Sequence, residues 1–290
     1  MGAHVFVVNK FTYPVHRDRG FCGVVEPPSP SAKFGLLADL KTIREGDRIF
    51  LYLSRTDEAS KDRGFLGIYQ AVSEPFSDDR KINGVGEFSD LVVIGKEADR
   101  TPNLPDDQKQ RILPYRILIK AQTYFENPVN DNRAYVDKSD KDELWTMIFR
   151  KVSKLGGARS ISHLLPEEEK KLIRLVYKAN LSPSKLPPNS PYPAGRTAPI
   201  KLDFETKPNG ELTFENMLVA WLVENIDKND PLIRSIIGPP EDIEFFGNHV
   251  QYGIGGETLD ILCLHKKTLE DGTSFRYKVS VIEAKKGTID

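Results

Sequence analysis

The sequence predicts two folded parts: an α+β N-terminal part, a small mixed β-barrel with flanking helices, and an α/β C-terminal core built from a helix and a mixed sheet. Three observations predict it. Short β-branched and aromatic runs at 4–9, 48–54, 64–76 and 115–121 are followed by helical stretches near 143–154 and 167–178. Proline then becomes too dense over 181–193 for a helix or a central strand. Beyond it, a helically periodic apolar segment precedes strands interrupted by acidic residues. The expected organisation is therefore a first domain over 1–180, a semi-rigid linker over 181–200 and a second domain over 201–290.

Composition narrows the classes. The chain has 290 residues, enough for two ordinary domains, with 39% hydrophobic and 29% charged residues, as in soluble globular proteins. No apolar run approaches the ~20 residues of a membrane span, so no membrane partner is expected. Met1 leads straight into a strand without a signal peptide, and the expected location is cytoplasmic. Cys22 and Cys263 lie in separate parts, which leaves no disulfide framework or zinc cluster and makes both buried small apolar residues. The net charge of −1 excludes bulk coating of nucleic acid, so any such binding must use local patches. Lys151, Lys154 and Arg159 form one candidate patch; Lys266, Lys267, Lys285 and Lys286 form another. The five histidines show no metal-ligand spacing.

Each N-terminal element has its own signal. His4–Asn9 is a short buried-type strand that stops at a polar residue, and a loop over 13–24 follows. Glu45-Gly46-Asp47 is a turn, after which Arg48 to Ser54 alternates as a strand. The run from Gly64 closes at Pro75, and the charged stretch 55–63 before it contains no core residues. Polar or aromatic residues at strand ends mark a candidate pocket: Asn9, Phe21, Cys22, Gly23, Tyr52, Ser54 and Phe65. Loops converging at one end of a barrel are where ligands bind.

The C-terminal signal is chemical. Gly255-Gly256-Glu257-Thr258-Leu259-Asp260 leads one strand, and a second runs from Tyr277 to Glu283-Ala284-Lys285, with Glu270-Asp271-Gly272-Thr273 as the turn between them. Alternation puts Glu283 and Lys285 on one side and Ala284 on the other. If the strands pair, two acids and a lysine converge, an arrangement suited to a divalent-metal phosphodiesterase. A charged edge that only discourages aggregation would show the same tripeptide. The segment 212–223 reads as a helix with Thr213 as N-cap and Phe214, Leu218, Trp221 and Leu222 on one face. Glu215 in its first turn suits either the helix dipole or a metal site.

Two resemblances follow from these residues. Asp260 with Glu283-Ala284-Lys285, preceded by the Glu215 helix, resembles the PD-(D/E)XK nuclease superfamily. That resemblance implies Mg²⁺ (or Mn²⁺) on Asp260, Glu283 and the Ala284 carbonyl, Glu215 helping through water, and Lys285 positioning water and stabilising the phosphate. The superfamily continues past this strand with a helix and another strand, so the core is expected to be truncated and one face of the Glu283 strand to lack its partner. The order Gly-Asp, apolar strand ending Tyr-Leu-Ser, then Gly-Ile-Xaa-Xaa-Val-Ser-Glu-Pro-Phe over 46–76 is similar to the EVE domain, a PUA-like relative of YTH domains. Gly156-Gly157-Ala158-Arg159-Ser160-Ile161-Ser162 also fits that group. It implies a pocket for a flipped, modified base.

Together they imply a modification-dependent DNA endonuclease whose partner is DNA carrying a modified base; cutting both strands with one site per chain calls for a homodimer. The alternatives are a non-catalytic binder of modified DNA or RNA, and a repair endonuclease for mismatched or branched DNA.

Overall fold

The structure, a computed structural model, describes residues 2–8, 12–24, 27, 29–54, 64–78, 93–94, 110–111, 113–130, 134, 161–184, 198–204, 207–208, 212–228, 230–252 and 257–285. Strand β1 (Ala3–Val8) leads into helix α1 (Thr12–Arg19) and strand β2 (Phe21–Val24). The loop expected over 13–24 is thus a helix and a strand. Pro14 sits in the first turn of α1, where its missing N–H costs no helical bond. Gly20, at φ 66, closes the helix and donates its N–H to the His16 carbonyl at 3.0 Å.

Helix α2 (Pro30–Lys41) is also absent from the sequence expectation, which passes from the loop over 13–24 to the turn at 45–47 without a helix; the prolines at 27, 28 and 30 read as loop. The Ser29 hydroxyl accepts the Ala32 N–H at 3.3 Å, and Pro30 opens the helix. Strands β3 (Arg48–Leu53), β4 (Gly64–Ala71), β5 (Phe76–Ser77), β6 (Val93–Ile94), β7 (Gln110–Arg111), β8 (Tyr115–Thr123), β9 (Val129–Asn130) and β10 (Ile161–Leu164) follow, then helix α3 (Pro166–Ala179) and strand β11 (Ala198–Pro199). One mixed sheet takes the order β10-β1-β3-β4-β8-β5-β11, with β2 on β8 and β9 on β4, while β6 and β7 form a separate ladder. β1 and β3 run parallel, and the other described pairs of the large sheet are antiparallel. With its flanking helices this is an α+β architecture.

The sheet has a core on each face. Leu36, Leu37 and Leu40 of α2 pack with Phe6, Cys22, Leu51, Tyr69 and Ile117 on one side. On the other, Leu172, Leu175 and Val176 of α3 pack with Val5, Phe50, Tyr52 and Phe65. The helix expected over 167–178 is α3. The helix expected at 143–154 and the charged stretch 55–63 lie outside the described residues, as do 185–197 of the expected linker span. Ala198 and Pro199, inside that span, pair with Ser77 and Phe76 of β5.

In the C-terminal part, helices α4 (Glu215–Asn225) and α5 (Pro231–Ile236) precede strands β12 (Ile243–Tyr252), β13 (Glu257–Thr268) and β14 (Ser274–Ile282). The N-cap of α4 is Phe214 and not the expected Thr213. The sheet order is β12-β13-β14, and both pairs are antiparallel. A mixed sheet was the expectation; a tight turn over 269–273 joins β13 to β14, and a turn that short can only reverse the chain. The apolar surface of α4 is wider than one stripe. Met217, Val219, Ala220, Leu222 and Val223 are buried, with Leu218 and Trp221 half-buried, because α2 lies on one side and the three-stranded sheet on the other. Phe275, Tyr277, Val279 and Val281, alternate residues on one face of β14, are exposed.

Candidate functional site

The acidic residues named from the sequence do come together at the end of the small sheet. Register pairs Ile261 with Ile282, so Asp260 and Glu283 follow at adjacent positions. The Ala284 amide donates to Asp260 Oδ2 at 2.7 Å, and Lys285 Nζ donates to Glu283 Oε1 at 2.5 Å. Ala284 is buried in the core with α4, while Glu283 and Lys285 are exposed, which keeps the alternation past the last residue of β14. The Glu283 carboxylate, by hydrogen bond and by charge, raises the Lys285 ammonium above its ordinary range, and Glu215 and Asp260 add to it. Glu215 is exposed in the first turn of α4 and near enough for its charge to act on Lys285.

These residues offer two carboxylates and one backbone carbonyl. Such hard oxygen donors suit Mg²⁺, which keeps several waters and takes only one or two protein carboxylates. Among the described residues no three His, Cys, Asp or Glu side chains are grouped to hold a metal ion. The donor set therefore fits a largely hydrated ion and does not fit one caged by protein.

Lys266 and Lys267, expected to form a patch with Lys285, pair with Arg276 and Phe275 at the other end of the small sheet and are matched by carboxylates. Lys266 Nζ lies 3.6 Å from Glu244, and Lys267 Nζ lies 3.3 Å from Asp242. Lys151, Lys154, Arg159 and Lys286 lie outside the described residues, as do Gly255 and Gly256.

The expected base pocket is placed differently. Asn9 lies outside the described residues. Cys22 belongs to the core beneath α2, whereas Tyr52 and Phe65 pack on each other, ring centroids 5.0 Å apart, in the core beneath α3. Phe21 is fully buried under the Arg116 guanidinium, 5.0 Å from its ring centre. Gly23 has the Leu113 side chain where a Cβ would sit. Ser54 Oγ donates to the Val8 carbonyl at 3.0 Å. The sheet separates these residues because strand alternation sends neighbours to opposite faces.

A different aromatic group does converge. Arg17 lies over the Tyr13 ring at 5.4 Å and donates to the Tyr124 hydroxyl at 3.4 Å. Burial, with Tyr124 beside it, raises the Tyr13 phenol, and burial with Tyr13 beside it raises the Tyr69 phenol. The pattern Thr12-Tyr13-Pro14 opening a helix was the available signal for Tyr13, and reading 13–24 as a loop hid it.

No family model matches the chain, and no curated protein matches it. Solved structures give distant likenesses. A protein from Pseudomonas putida is 12% identical with a TM-score of 0.36, over 60% of this chain and 98% of its own. A hypothetical protein from Leishmania major is 10% identical with a TM-score of 0.38, over 61% and 96%. Human THYN1 in complex with 5-methylcytosine containing DNA is 11% identical with a TM-score of 0.30, over 60% and 97%. All three TM-scores fall below the level at which a shared fold is assigned.

Proposed function

We propose that this chain is a modification-dependent DNA endonuclease: a PUA-like N-terminal module reads a flipped modified base, and the C-terminal sheet carries a PD-(D/E)XK-type site. The observation that carries the nuclease half is the bond from the Ala284 amide to Asp260, which brings the first acid against Glu283 and Lys285. Asp260, Glu283 and the Ala284 carbonyl would hold Mg²⁺ or Mn²⁺. The ion, when bound, supplies a Lewis acid for a phosphodiester oxygen.

The chain's own residues do the rest. Lys285 is protonated near neutral pH at the ordinary lysine value, and Glu283 and the other carboxylates raise it further, so it donates to phosphate or water and is no base. The Ala284 amide fixes the Asp260 carboxylate in orientation. Glu215 adds negative charge at the mouth of the site. Cutting both strands with one such site per chain calls for two chains. The reading of a modified base rests on the EVE-like order of residues over 46–76.

The competing reading, a non-catalytic binder of modified DNA or RNA, is favoured by two observations: the Lys285–Glu283 pair closes on itself, and among the described residues no three-ligand group is preformed. The test is cleavage of matched DNAs, unmodified or carrying cytosine modifications, with Mg²⁺ or Mn²⁺, by the chain and by Asp260→Asn. Cutting of modified DNA alone, lost in the variant, is the expected result. Equal cutting of all substrates removes the base-reading half and leaves repair of mismatched or branched DNA. Binding of modified DNA without cutting selects the non-catalytic reading.

A further inference from the structure

The two halves meet across a chain of buried polar side chains that the proposed reaction does not use. His4 on β1 and His163 on β10 face each other, Nδ1 to Nδ1, at 2.9 Å, and both are almost wholly buried. The outer nitrogen of each ring meets an acceptor. His4 Nε2 lies 3.1 Å from Asp47 Oδ2, which also accepts the Arg44 amide. Burial alone would raise Asp47, yet His4 and the Arg44 and Gly2 amides hold it below the usual carboxylate range, so it is an acceptor only. His163 Nε2 lies 3.0 Å from Asn248 Oδ1 on β12.

The Asn248 orientation is set from its other side. Its Nδ2 donates to Asp39 Oδ1 of α2 at 2.6 Å; turning the amide over would put oxygen against oxygen at that distance. With Asp39 ionised and Asn248 in that orientation, His4 Nε2 and His163 Nε2 both carry protons. Between the two Nδ1 atoms there is room for one proton and need of one: none leaves two lone pairs in contact, and two leaves N–H against N–H. The hydroxyl of Thr42, which gives its proton to the Asp39 carbonyl at 2.7 Å, accepts from His163 Nδ1 at 3.3 Å and draws the shared proton to that side.

We infer that His4 and His163 form an imidazole–imidazolium pair, three protons on four ring nitrogens, whose single buried positive charge between Asp47 and Asp39 clasps the C-terminal sheet to the N-terminal one. Among the described residues, the groups facing the pair include Asp47, Asp39, Thr42, and Asn248 with His249 of β12, whose Nδ1 lies 3.3 Å from Asp39 Oδ1. Helix α3 packs on the opposite face of β10 through Leu164, away from the pair. Removing the shared proton at high pH, or adding a fourth at low pH, breaks the central contact. Attachment of β12 is thus strongest in a window and weakens on both sides of it, and the pair titrates as one unit in two steps.

The test is ¹⁵N nuclear magnetic resonance of the full chain with labelled histidine, with His4→Asn and His163→Asn used to assign the two rings. The expected result is three protonated nitrogens on the pair at neutral pH, and both rings shifting together at each of two steps. Two neutral rings, or two rings titrating independently, would overturn the inference. Hydrogen exchange of the same samples reads the clasp. Protection of β12 amides should be maximal where three protons are bound and fall on the order of tenfold or more in His163→Asn. Protection that does not follow the proton count would leave the pair without a clasping role and overturn that half of the inference. None of these readouts depends on cleavage.

Discussion

At the scale of single residues, burial sets the chemistry more than sequence neighbours do. His16 is enclosed under β2, with Nδ1 3.0 Å from the Phe21 carbonyl. Burial, helped by the nearby Arg116 charge, pushes it down to about 4. Its folded value lies below its unfolded value near 6.5, so it adds stability that is present above about pH 6.5 and is lost as the pH falls toward 4, about 3 kcal/mol in all. Urea unfolding at both pH values should show this loss, and His16→Asn should show a shallower dependence. Arg116, fully buried, pairs with Asp78 and donates to the Leu113 carbonyl at 2.7 Å. Asp78→Ala takes away the counter-charge of a buried guanidinium and should cost about 3 to 5 kcal/mol in denaturant unfolding. Neither role is visible in the sequence, where His16 sits in a polar run and Asp78 follows a serine near a loop.

At the scale of elements, strands were more legible than helices. β3, β4 and β8 form where β-branched and aromatic residues cluster, because a pleated sheet buried on both faces favours those side chains. Helices α1 and α2 were hidden by prolines that read as loop; both prolines stand in first turns, where a helix tolerates them. Within β4, Gly67 adopts φ 67, and a Cβ there would lie 2.6 Å from the Tyr69 ring. Gly67→Ala should therefore cost about 2 kcal/mol, combining a left-handed backbone with a clash against a buried ring, and thermal unfolding would measure it. In β12, His249 has φ 51, the only non-glycine positive value among the described residues. That turn of the backbone breaks the strand's alternation and lets Asn248 and His249 both reach Asp39, at 2.6 and 3.3 Å. The same residue stands between the register pairs Asn248–Ile261 and Val250–Leu259, across from Asp260. The acidic candidate site was legible, because Asp260 and the Glu-Ala-Lys run sit on strands with clear periodicity. The place of His249 across from Asp260 was not, since no local pattern announces a left-handed histidine.

At the scale of the whole molecule, the C-terminal part shares its core with the N-terminal part. Ala38 and Phe34 of α2 pack in one cluster with Val219, Leu222, Ile261 and Ala284. Asn216 donates to the Ser31 carbonyl at 3.0 Å, and Lys41 reaches Glu224 at 3.3 Å. A fragment of residues 201–290 would expose the α2-facing side of α4 and leave Asn248 without Asp39. It should fail to give a dispersed amide spectrum or a cooperative thermal transition, whereas the full chain should give both. A fragment with native-like dispersion would show that the shared cluster is dispensable.

What the sequence determined by itself is what repeats along the chain or stands in a short motif: strand alternation, the turn at 270–273, and two acids and a lysine at spacing that pairs them. These follow from period-two geometry, which any extended segment obeys. Only the tertiary structure decided that α2 serves two cores, that Tyr52 and Cys22 lie on opposite faces of one sheet, and that His4, His163, Asn248 and Asp39 meet. Those contacts join residues up to 209 positions apart, and no local preference encodes a partner at that distance; burial and the need to satisfy each enclosed polar atom select it.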